Sequence, residues 1–222
     1  MSKLFVLFLG LAILVCGAGG AFAQSRYLED GQNGFAVSGA VGSGEDYTSF
    51  GAGFDYSISG RYDIGVGISR ASYDEDEFGP DFSSTEITPF FAIALVRPSE
   101  TSPVGFELGA SYGFASISGD VLDYNELEMS ANATSLGGNV YFFVDSSPTL
   151  RIIPSLTLAY NMGKSKIEDS FGNSVETDVD GIAIGGAVSF QINKKVWIVP
   201  RITHFDESTS WSVRVGLTMP SG

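Results

Sequence analysis

The 222-residue chain holds one cysteine and one histidine, and its acids outnumber its bases 26 to 12. So few thiols and imidazoles exclude a disulfide-stapled scaffold and a zinc site of the ordinary Cys/His kind. The shortage of Lys and Arg gives a formal net charge of −14, the wrong sign for a nucleic-acid binder. Only 17% of residues are charged, against 44% hydrophobic and 28 glycines, so the acid must be concentrated in a few places. Beyond residue 33 no segment shows a convincing 3.6-residue period. There is neither a P-loop nor a GxGxxG following a strand, and the acidic run Asp74-Glu75-Asp76-Glu77 lacks calcium-loop spacing. No cofactor and no metal are expected.

What is there begins with an address label. Residues 1–23 carry a basic Lys3, an apolar run over 4–15, and the small-residue site Ala21-Phe22-Ala23. That is the pattern of a cleaved secretory signal peptide, and about twelve apolar residues are too few for a membrane anchor. Val15 stands where a lipoprotein signal would need a small residue before Cys16. Cleavage before Gln24 leaves a short segment, 24–32, and a body over 33–219, with no cysteine in either.

The body alternates with period 2 in ten segments, the mark of strands with two unlike faces. Phe35, Val37 and Val41 oppose Ala36, Ser38, Ala40 and Gly42; Tyr62, Ile64, Val66 and Ile68 oppose Asp63, Gly65, Gly67 and Ser69. Later segments repeat the split, as in Ile182, Ile184, Val188, Phe190 and Ile192 against Ala183, Gly185, Ala187, Ser189 and Gln191. One face is large and apolar; the other is small, weakly polar and nearly uncharged. A soluble sandwich would show more charge on its outer face. The pattern predicts an inverted arrangement: a ten-stranded, antiparallel, up-and-down transmembrane β-barrel, with big side chains toward lipid and small ones toward the lumen.

Connection lengths predict the orientation. Links near Ser59-Gly60, 98–102, 145–149 and 193–195 are short, and those near 72–85, 117–131 and 162–180 are long. Nineteen of the 26 acids fall in the long and intermediate links, opposed there only by Lys164 and Lys166. Short periplasmic turns and longer acidic external loops are the outer-membrane pattern. An even strand number puts both termini on the short-turn side.

The phrases Ile87-Thr88-Pro89-Phe90-Phe91-Ala92, Ile152-Ile153-Pro154-Ser155-Leu156 and Val213-Arg214-Val215-Gly216-Leu217, behind a signal peptide, resemble the outer-membrane β-barrel domain family of Gram-negative bacteria, the broad opacity-protein-like group. Members of that group often have eight strands and an aromatic last residue; this chain shows ten segments and ends Met219-Pro220-Ser221-Gly222. The resemblance implies export to the outer membrane, with lipid and lipopolysaccharide as partners and a monomeric state.

Pro89, Pro154 and Pro200 fall inside segments on the lipid-facing register, where bulges, missing ladder bonds or later strand starts are expected. The lumen register carries Asp55, Asp63, Glu86, Glu107, Arg151, Arg201 and Arg214, a salt-bridge network filling the interior or the lining of a narrow pore. Turns centred near Ser59 and Glu207 would set Asp55 opposite Asp63 and Arg201 opposite Arg214. Tyr56, Tyr62, Tyr112, Phe114, Tyr160 and Trp211 fit aromatic girdles at the lipid interfaces. His204, near Asp206, Glu207, Ser208 and Ser210, invites a hydrolase reading, but His204-Phe205-Asp206 is not the His-x-Ser of the lipid A deacylases, and its order is the reverse of that in the outer-membrane proteases. The expected role is structural or surface-interacting, with a passive channel as the alternative and no enzyme activity.

Overall fold

The computed structural model describes residues 25–45, 47–73, 82–99, 102–119, 122 and 126–221. The signal-peptide segment, Asp46, the acidic run 74–77, Asp81, Asp120 and Asp123 lie outside the described residues. A single 3-10 turn, Ser25–Tyr27, precedes β1 (Asn33–Ser43), β2 (Tyr47–Ile58), β3 (Tyr62–Tyr73), β4 (Phe82–Val96) and β5 (Val104–Gly119). Then follow β6 (Leu127–Phe142), β7 (Val144–Ser147), β8 (Leu150–Asp169), β9 (Ser174–Ile192), β10 (Val196–Phe205) and β11 (Ser208–Ser221).

Every pairing is antiparallel between neighbours, β1 meets β11, and β6 meets β8, so the sheet closes on itself. β7 is the continuation of β6: Val144 opposite Ile152 keeps the register of Tyr141 opposite Ser155. Eleven strands therefore make ten staves. Stepping from Gly34 through its partners Ser57, Asp63, Ala92, Gly109, Gly137, Ala159, Ala183 and Phe205 arrives at Ser208. Gly34's own partner on β11 is Pro220, twelve residues further along. That stagger, over ten staves, tilts the strands about 40° from the barrel axis.

The outer face is apolar and exposed. Leu156 is 60% exposed, whereas its neighbour but two, Ile153, is fully buried in the interior. Val41, Phe50, Ile64, Phe114, Ile182 and Val215 share that outer band. A water-soluble protein does not present so continuous an apolar belt; hydrocarbon is the solvent it suits.

The prolines interrupt the wall without shifting it. Pro89 keeps its pairing with Val66 on β3, but the β4–β5 ladder skips Thr88 and Pro89. Pro154 keeps Val188 on β9, but the β6–β8 ladder stops at Ser155, which is why β6 and β7 are separate strands. Pro200 keeps Val213 on β11, and the β9–β10 ladder skips Val199 and Pro200. Register resumes unchanged after each gap. A proline lacks one donor, so it drops bonds on one side only. Missing ladder bonds are observed there; the only register shifts recorded among the described residues lie at 94–96 and 145–147.

The long links are shorter than the sequence suggests. β8 runs on to Asp169 and β9 begins at Ser174, leaving a four-residue tip, while 206–207 alone join β10 to β11. Alternation of large apolar residues ends near Met162 and Ile182, but the main-chain ladder continues above them. There Lys164 sits opposite Asp178 with Nζ 3.3 Å from Oδ1, and Lys166 pairs with Glu168. Much of the supposed loop acid therefore stands on strand extensions. Glu86, counted by sequence with an external link, lies inside the wall and is 3% exposed.

Candidate functional site

The interior of the barrel holds the chain's buried polar chemistry, and its organiser is the segment ahead of β1. Arg26 and Tyr27 point inward, both buried. Arg26 Nη2 donates to Glu107 Oε2 on β5 at 2.6 Å, and the guanidinium lies over the Tyr141 ring, 5.0 Å from its centroid. Asn139 on β6 stands between this pair and Thr157. With its oxygen 2.8 Å from Arg26 Nη2 and its nitrogen 3.1 Å from Thr157 Oγ1, the amide satisfies both ends. A buried ion pair needs further hydrogen bonds to offset its desolvation, and Asn139 supplies one to Arg26 Nη2, while Arg26 Nε is left without a partner.

Tyr27 stacks on Trp197 of β10, ring centroids 5.1 Å apart and planes 9° from parallel. Its hydroxyl reaches Ser189 Oγ at 3.0 Å, its carbonyl accepts from Gln191 Nε2 at 2.8 Å, and Trp197 Nε1 donates to Thr218 Oγ1 at 3.1 Å. The sequence makes room for these rings. A side chain at Gly216 would run into the Trp197 indole, and one at Gly105 into the Tyr141 ring. Tyr27, Ala36, Tyr141, Ile153 and Trp197 form one apolar cluster at this end.

Outside the lumen the segment is tied to the short turns. Arg61 grips Asp30 through two nitrogens, at 2.9 and 3.1 Å, and Lys194 Nζ donates to Glu29 Oε1 at 2.9 Å. Arg97 donates to the carbonyls of Leu28 and Gly60. The hydrogen bond from Lys194 holds the Glu29 carboxyl below its ordinary range, and that from Arg61 does the same for Asp30. The turn that presents Arg61 has Ser59 and Gly60 both at positive φ, 56° and 59°. That handedness matches the twist of the two strands it joins.

Above Tyr27 lies a cavity of about 140 Å³. Arg26 and Tyr27 line one end, and Tyr47, Ser49 and Ser210, at the opposite ends of their strands, line the other. One wall is nearly free of side chains because Ser38, Gly51, Gly53 and Gly67 form it. Arg201 and Arg214 line the cavity with Asp55.

Asp55, Asp63, Glu86 and Glu107 are all buried in the interior. Asp55 pairs with Gly65 and Asp63 with Ser57, so the two aspartates are diagonal rather than opposite. Arg201 pairs with Ser212 and Arg214 with Val199, again diagonally. Both turns close one residue away from the centres expected, Ile58 opposite Tyr62 and Phe205 opposite Ser208. Each such offset moves direct partners to diagonal ones. Arg151 stands apart at the short-turn end, 2.6 Å from Asp145 and over the Phe143 ring.

Tyr62, Tyr112, Phe114, Tyr160 and Trp211 are exposed on the outer face, while Tyr56 is half-buried. Tyr112 and Phe114 meet edge-on at 4.4 Å, and the Tyr160 hydroxyl donates to Asp180 at 2.8 Å. His204 is exposed, on the outward register, with Nδ1 3.0 Å from Thr209 Oγ1. Sequence reasoning missed Arg26, Tyr27, Asn139, Tyr141 and Trp197 as a group. The available signal was Glu107, an inward acid whose lateral neighbours, Ala94 and Asn139, carry no positive charge.

An even number of antiparallel staves, closed and belted with apolar side chains, is outer-membrane architecture. The chain is a transmembrane β-barrel of the bacterial outer membrane. No family model matches it, and no curated protein matches it. Among solved structures it is similar to the translocator domain of autotransporter NalP from Neisseria meningitidis, at 15% identity over 92% of each chain and a TM-score of 0.49. It is also similar to Ail, the attachment invasion locus protein of Yersinia pestis, at 11% identity over 86% of this chain and 100% of that one, TM-score 0.42. The N-terminal β-barrel domain of Pseudomonas aeruginosa OprF is a third, at 9% identity over 85% and 99%, TM-score 0.34.

Proposed function

We propose that the protein is a closed-lumen barrel with a structural or surface-interaction role, its acidic strand extensions and tips outside the cell and its short turns and termini in the periplasm. The observation that carries this reading is the seating of Arg26 and Tyr27 among Glu107, Tyr141 and Trp197, at the short-turn end of the interior. Residues 1–23 support Sec export. Lipid and lipopolysaccharide are its partners in the membrane, and a wall with no free edge supports a monomer. The strand phrases that resemble the opacity-protein-like group support the same placement. An enzyme role is not proposed: the ring of His204 sits beside Thr209 on the outward register.

A passive channel is the second reading, favoured by the cavity that Arg201 and Arg214 line. Orientation is tested with Phe171→Cys, at the β8–β9 tip where Phe171 is 89% exposed, in a mature chain without cysteine. On intact cells an impermeant maleimide labels this variant if the tip is outside. Labelling only after the outer membrane is broken overturns the orientation.

A further inference from the structure

We propose that the lumen cavity is a binding site for a small oxyanion, a carboxylate or phosphate group held by Arg26, Arg201 and Arg214. In a chain with 12 basic residues and a net charge of −14, three arginines converge on one cavity of about 140 Å³. They come from two stretches far apart in sequence, the segment before β1 and the β10–β11 hairpin, so the meeting of Arg26 with the other two is a product of the fold. Among the described residues lining the cavity, Asp55 is the one carboxylate. Arg214 lies within electrostatic reach of Asp55, and Arg201 within reach of Arg214 and Arg26.

Arg201 and Arg214, diagonal neighbours on β10 and β11, repel each other across a partly enclosed lumen, and an anion between them relieves that repulsion. The guanidinium fork matches the geometry of carboxylate and phosphate oxygens. Arg26 adds a second sign of a built site: it is 3% exposed, and its Nε has no hydrogen-bond partner although Nη2 is committed to Glu107. Hydroxyls of Thr157 and Thr203 add neutral donors to the lining. The bare wall of Gly51, Gly53 and Gly67 leaves the space open. That space is well above the roughly 10–15 Å³ one water needs. The site rests on the closed-lumen reading, because a blind cavity retains what an open pore would pass.

Trp197, stacked on Tyr27 at the cavity floor, is a built-in reporter. The chain has two tryptophans, so Trp211→Phe leaves Trp197 alone. The full mature chain carrying that change, folded in a non-ionic detergent, is titrated with inorganic phosphate, with acetate, and with chloride at matched ionic strength. A saturable change in Trp197 emission with phosphate or acetate, and none with chloride, is expected; which of the two binds more tightly identifies the headgroup. R201Q/R214Q weakens the response about tenfold or more. R151Q, which alters the surface pair with Asp145, matches the parent.

The absence of saturation, an equal response to chloride, or a response that R201Q/R214Q leaves intact overturns the site. Should R201Q/R214Q not fold, as judged by heat-modifiable gel mobility, phosphorus NMR of phosphate against the folded parent decides. Line broadening reversed by acetate supports the site, and its absence overturns it. Reproducible single-channel openings by the parent overturn the closed-lumen reading, whereas electrical silence with no phosphate response overturns the site alone.

Discussion

Arg26 and Glu107, 81 residues apart in sequence, meet at 2.6 Å in the interior with exposures of 3% and 1%. Breaking a buried pair by removing one partner leaves a charge with nothing to answer it, a loss of about 3–5 kcal/mol. Glu107→Ala is therefore expected to lower the urea midpoint of the vesicle-reconstituted protein strongly, and Arg26→Ala comparably. The double change R26M/E107M recovers most of the loss, because neither charge is then stranded. Additive losses in that cycle would count against a coupled pair.

The ties to the short turns set a pH dependence. Lys194 and Arg61 depress the Glu29 and Asp30 carboxyls below their unfolded values. A depressed carboxylate contributes stability that is full above its unfolded pKa, about 4, and lost as pH falls through the lower folded value. Both groups are exposed, so the effect is local and modest. Trp197 fluorescence at falling pH is expected to report loosening of Tyr27 below about pH 4. In E29Q/D30N that acid-dependent step is absent, and a step that persists would assign it to another group.

Pro154 and Pro200 each leave one ladder interrupted. Pro200→Val supplies the missing N–H on an outward position, where a larger apolar side chain meets lipid. A gain of about 1 kcal/mol in unfolding free energy is expected. Amide exchange at Val188, which the β9–β10 register sets opposite residue 200, slows with it. Unchanged exchange would show that the gap has a cause other than the absent donor.

The barrel itself was legible in the sequence because period-2 alternation needs only local information. Val37 and Val41 face outward, and Ala36 and Asp55 inward, as the pattern predicted. Strand ends were not legible. Beyond Met162 and Ile182 the apolar signal stops while the hydrogen-bonded ladder continues, supported by pairs such as Lys164 with Asp178 that read as loop. The partner of Glu107 was hidden for a different reason: Arg26 lies in no strand, and its position depends on where the segment threads after the barrel closes. Diagonal rather than direct pairing of Arg201 with Arg214 hinged on a one-residue difference in a turn, which composition does not fix.

The tall β8–β9 hairpin is expected to be dispensable for folding. Replacing residues 166–176 with Asn-Gly between the paired Ser165 and Thr177 closes a tight hairpin above the apolar belt. The shortened chain keeps its heat-modifiable gel mobility. Loss of that mobility would mean the extensions belong to the folding core.

Planar-bilayer recording tests the central claim most directly. With Arg26 and Tyr27 seated against Glu107 and Trp197, the wild-type mature chain is expected to be electrically silent, and R26G/Y27G, still folded by gel mobility, to show discrete openings. Reproducible openings by the wild type, or equal silence from the folded R26G/Y27G chain, would contradict a lumen closed by that segment.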